Sequence, residues 1–109
     1  MKLPAFRLAL EAALHQHFPG IRLAVTESRG IALICRAEIT AEVLLAVYFN
    51  ALTGNTSYAL VRQGRRIAGY DNQRFWHAHS LGAADQHMPC DALTPEEAVA
   101  GLAAMNAGC

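Results

Sequence analysis

The hydrophobic period of this chain changes once, at Pro19-Gly20, and that change limits the folds open to it. Leu3, Phe6, Leu10, Leu14 and Phe18 recur at the spacing of an amphipathic helix. Pro4 is tolerated because it falls in the first turn, where no backbone donor is needed. Pro19-Gly20 ends the helix. From Ile21 the period is two: Ile21, Leu23 and Val25 alternate with Arg22, Ala24 and Thr26. Ser28-Arg29-Gly30 breaks that run, and Ile31 to Ile39 reads as a second strand with Cys35 as a small core residue. Val43 to Phe49 is apolar on both faces, the pattern of a central strand. Leu52 to Asn55 is a hairpin loop, Thr56 to Arg62 a strand, Gln63-Gly64 a turn, and Arg65 to Tyr70 a further strand. Phe75 to His79 fits one more short strand. Thr94-Pro95-Glu96-Glu97 then starts a helix, with Thr94 as N-cap, Pro95 in the first position and Glu97 closing a capping box. Ala98 to Met105 continues it and Asn106-Ala107-Gly108 ends it. The expectation is an α+β fold: an N-terminal helix, a curled antiparallel meander of four to six strands, and a C-terminal helix, the helices covering one face. Residues 1–109 suit a single domain.

Charge and composition exclude some functions. Nine basic and nine acidic residues give no net charge, so a globally basic nucleic-acid binder is not indicated. The charge is uneven, however. Residues 62–74 hold Arg62, Arg65, Arg66 and Arg74 against Asp71 alone, a strip suited to a phosphate, while residues 85–97 are acidic. An apolar fraction of 53% in 109 residues is high enough that part of it is expected at an interface, and a homodimer is the simplest form. Arg7 and Glu11 interrupt any secretory signal, and no apolar run is long enough to span a membrane. With three cysteines, Cys35, Cys90 and Cys109, this points to free thiols and a cytoplasmic location.

Three of the five histidines, His77, His79 and His87, lie within eleven residues, beside the only tryptophan, Trp76, and Cys90. His15 and His17 sit in the last helical turn, point opposite ways, and suit the surface. On a strand His77 and His79 share a face, roughly 6–7 Å apart, with Trp76 and Ala78 turned to the core. Three readings follow. A metal would use His77 and His79 with His87, Asp85 or Cys90, but no Cys-x-x-Cys pair or His-Glu-x-x-His helix is present, so no metal or cofactor is assigned. Metal-free acid–base attack on a phosphodiester would use histidines to move protons and Arg62, Arg65, Arg66 or Arg74 to hold phosphate charge, with Trp76, Tyr70 or Phe75 available to stack a base. In the third reading the histidines are structural. Asp71-Asn72 is a good turn pair, and nothing around Cys90 activates its thiol.

Gly54-Asn55-Thr56-Ser57-Tyr58, then Ile67-Ala68-Gly69-Tyr70-Asp71-Asn72, then a His-rich stretch and an acidic terminal helix resemble the TumE-like toxin family of bacterial and archaeal toxin–antitoxin pairs. The resemblance covers roughly residues 21–99, and Ser80 stands where the family writes proline. Asp71, Asn72, His77, His79 and His87 occupy family-like positions. The resemblance implies a cytoplasmic protein with an antitoxin partner. The leading expectation is a toxin that acts on RNA as a metal-independent ribonuclease. His77 and His79 are its acid–base pair and His87 a third candidate. Arg74 contacts phosphate, and Asp71 and Asn72 orient the substrate loop. The alternatives are a non-catalytic binding or homodimerising module and a metal-dependent hydrolase.

Overall fold

The computed structural model describes residues 1–107; Gly108, read as part of the helix stop, and Cys109 lie outside the described residues. The elements run α1 (Leu3–His17), β1 (Arg22–Ser28), β2 (Ala32–Glu38), β3 (Val43–Asn50), β4 (Thr56–Arg62), β5 (Arg65–Asp71), β6 (His77–Ser80), β7 (Ala83–Pro89) and α2 (Pro95–Ala107). All seven strands form one antiparallel sheet in sequence order. The fold is α+β with a terminal helix at each end, as the change of period predicts. The sheet has seven strands where four to six were expected. The surplus is β7, whose central Asp85, Gln86 and His87 carry no apolar alternation and lie exposed.

Both helices pack on one face. Leu3, Phe6, Leu10, Ala13 and Leu14 of α1 and Ala98, Val99 and Leu102 of α2 join Leu33, Cys35, Leu45, Val47, Phe49, Tyr58 and Leu60 in one buried core. Phe6 stacks flat on Phe49, ring centroids 4.0 Å apart, and meets Tyr58 at 6.4 Å. Burial pushes the Cys35 thiol up to about 11, which fits a core residue rather than a reactive one. The helices also meet at their polar ends, where His17 Nε2 lies 2.9 Å from Glu96 Oε1; His15 is exposed. At the start of α2 the capping box forms: Glu97 N–H donates to Thr94 Oγ1 at 3.1 Å, and Thr94 N–H donates to Glu97 Oε1 at 3.0 Å.

Strand register decides which residues face away from the helices. Tyr58 lies opposite Tyr70, and Tyr70 opposite Ala78, so these share the helix-covered side. Gly101 of α2 leaves room there for the Tyr70 hydroxyl. Ser57, Asp71 and His77 form the row on one flank of this, and Ala59, Gly69 and His79 the row on its other flank, both facing the other side. Gly69 is required, because a Cβ there would run into the Tyr58 carbonyl of the neighbouring strand. Among the described residues no helix is long and apolar enough to cross a membrane.

Candidate metal centre

The site forms where β5, β6 and β7 stack side by side on the face without helices. Alternation along β6 turns His77 and His79 the same way, and the register sets Asp71 of β5 directly opposite His77. His87 arrives from β7. The three imidazoles are mutually in contact, with ring centroids 5.1 Å apart for His77–His79, 4.7 Å for His77–His87 and 4.6 Å for His79–His87. One nitrogen from each of the three lies within 4.8 Å of the others. His77 and His79 are buried, 5% and 0% exposed, whereas His87 is open to solvent.

The polar partners are more informative than the proximity. His77 Nδ1 lies 2.9 Å from the Phe75 carbonyl oxygen, and His79 Nδ1 lies 2.8 Å from the Ala84 carbonyl oxygen. A carbonyl only accepts, so each Nδ1 carries its hydrogen and donates. The Nε2 atoms of both rings point at one carboxylate: His77 Nε2 is 2.9 Å from Asp71 Oδ1, and His79 Nε2 is 3.1 Å from Asp71 Oδ2. The two Nε2 atoms thus share one carboxylate, each with its own oxygen. Arg66 Nη2 donates to the Ala84 carbonyl at 3.3 Å and lies 3.3 Å from His79 Nδ1. A divalent cation on the Nε2 side would leave each Nδ1–H held by its carbonyl, the usual outer support of a histidine ligand. Zinc–imidazole bonds are about 2.0–2.1 Å, so the trio would have to close by about an ångström to share one ion.

The other residues singled out in the sequence have different fates. Trp76 packs against the edge of the core, as strand alternation predicts, but it is less buried than the histidines beside it. Asn72 is a clamp on the β3–β4 loop: its Oδ1 accepts from Thr56 N–H at 2.8 Å and its Nδ2 donates to the Gly54 carbonyl at 2.8 Å. Asp71 does more than shape the turn, where its Oδ1 accepts from Gln73 N–H at 3.1 Å, because it also faces both buried rings. Arg74 is exposed in the β5–β6 connection at φ 71°, and it has no hydrogen-bond or ion-pair partner among the described residues. The arginine that reaches the histidines is Arg66. Spacing gives no hint of this, because a β-bulge between Leu60 and Val61 shifts the register there and pairs Arg66 with Val61. Cys90 is outside the cluster, and its thiol is pushed up by burial first and then by Asp91 and Asp71. No family model, curated protein or solved structure matches this chain.

Proposed function

We propose that this chain is a metal-dependent hydrolase whose centre is held by His77, His79 and His87, with Asp71 beside them. The observation that carries the reading is the arrangement of His77 and His79: both Nδ1 atoms are committed to carbonyls and both Nε2 atoms converge on one carboxylate. Three imidazole donors suit zinc or another first-row divalent ion. The buried His77 and His79 would hold the ion from one side, and the exposed His87 side would leave it open to water and substrate. The ion would supply a water activated near neutral pH for hydrolysis of an ester or phosphoester.

Metal-free acid–base chemistry has less support, because His77 and His79 are buried away from a polymeric substrate and only His87 is open. A TumE-like toxin with this centre would cleave RNA as a metal-dependent nuclease in the cytoplasm, where Cys35 and Cys90 stay free thiols. Its antitoxin partner, or the second copy of a homodimer, would be recovered by co-purification and sedimentation.

The test is hydrolysis of p-nitrophenyl acetate and bis(p-nitrophenyl) phosphate by protein purified without a polyhistidine tag. The proposal expects turnover of at least one of them, abolished by a chelator, restored by stoichiometric zinc, and absent in His79→Ala. Turnover that survives complete chelation returns the site to metal-free acid–base catalysis. A zinc-loaded protein inert towards both esters removes the hydrolase.

A further inference from the structure

An open cavity of about 750 Å³ lies between the β4–β5 turn and the β6–β7 turn. Its lining includes Arg62, Arg65 and Arg66 from one hairpin and Gly82, Ala84 and Asp85 from the other. Arg62 and Arg65 face each other across the hairpin, and neither has a hydrogen-bond or ion-pair partner among the described residues. Arg66 is held by its Nη2 alone, which donates to the Ala84 carbonyl beside His79, and its remaining donors are unspent. Three arginines and one acidic residue, Asp85, therefore line a recess large enough for more than a bare anion.

Arg66 also ties this recess to the histidines. It lines a second cavity of about 360 Å³ that contains Asp71, so one side chain forms a wall of both spaces and touches the outer nitrogen of His79. We infer that the arginine-lined cavity is an anion subsite that holds the phosphate of a phosphoester beside the histidine cluster. The planar guanidinium fork pairs with two oxygens at a time, and a phosphate monoester, with three free oxygens and up to two charges, gives several arginines more to hold than a carboxylate does. The chain as a whole carries no net charge, so the attraction is local to this recess. Two or three phosphate contacts give only a shallow salt dependence. The inference uses the metal reading to say what the phosphate is presented to. The holding of the phosphate itself depends only on the arginines.

The test is a titration of phenyl phosphate into apo and zinc-treated protein, followed by calorimetry or NMR, with benzyl alcohol as the uncharged control. Wild type should bind phenyl phosphate and not benzyl alcohol. The Arg62→Gln/Arg65→Gln double variant, altered only at exposed positions, should bind it about ten-fold more weakly or worse. Equal affinity of wild type and the double variant, or no binding by wild type, overturns the inference. A short single-stranded RNA that competes with phenyl phosphate assigns the subsite to a polymer, and one that fails to compete assigns it to a small phosphoester. Metal content measured on the same samples separates the two claims. Arginine-dependent phosphate binding without zinc uptake removes the metal centre and keeps the subsite. Zinc uptake without phosphate binding does the reverse.

Discussion

Asp71 is the residue on which the site turns, because two buried rings depend on its two oxygens. Asp71→Asn keeps the shape but removes the charge and offers an amide to one ring. It should weaken zinc binding about 10–100-fold, read by competition with a chromophoric chelator, while the far-UV spectrum stays native. Unchanged zinc affinity would mean that the carboxylate only shapes the turn. Gly69 supports the same place from below, since His79 pairs with it in the sheet. Gly69→Ala forces β4 and β5 apart and should cost about 1–3 kcal/mol in a denaturant melt. At this scale the sequence was partly legible. Alternation alone places His77 and His79 on one face. It does not place Asp71 opposite His77, because that pairing depends on how the loop of residues 72–76 closes. Nor does it single out Arg66 over Arg74, since that choice follows from a bulge that no spacing rule marks.

The elements differ in how plainly the chain announces them. α1 and β1 to β5 have strong periods, and α2 opens on a capping box that forms as read. Thr94→Ala should cost about 1 kcal/mol. Glu97 has a carboxyl held below its ordinary value of 4.5, first by the backbone of Thr94 and then by its hydroxyl. A lowered folded value contributes stability that is complete above the unfolded value and is lost as pH falls through the folded one. The melting temperatures of wild type and Glu97→Gln should therefore differ above about pH 4.5 and converge at lower pH. A gap that widens on acidification would contradict the bond. β7 was illegible for a physical reason. It is an edge strand with both faces largely exposed, so no hydrophobic period is imposed on it, and its main positional demand is His87.

Across the whole molecule, the two faces of one sheet do different jobs. The helix-covered face holds the core, and the other face holds the histidines, with the arginine-lined recess at the hairpin end of the sheet. Stability and metal binding should separate accordingly. Leu60→Ala, on the core side and fully buried, should cost about 2–5 kcal/mol and leave zinc affinity unchanged where the protein is folded. Zinc, by contrast, should stabilise the native state by about 2.7 kcal/mol at a hundred times its dissociation constant, an effect lost in His79→Ala. The layering of helices on sheet could be read from the change of period at Pro19-Gly20. The burial of His77 and His79 could not, because it comes from β7 pairing alongside β6, and that is a property of the assembled sheet rather than of any segment.

The central claim is that the three histidines, beside Asp71, hold a divalent ion. Its most direct measurement is the metal content of untagged protein after exposure to zinc and removal of unbound metal. The account predicts about one equivalent in wild type and a loss of it in the His77→Ala/His79→Ala variant. A folded wild-type protein that retains less than about a tenth of an equivalent would contradict it.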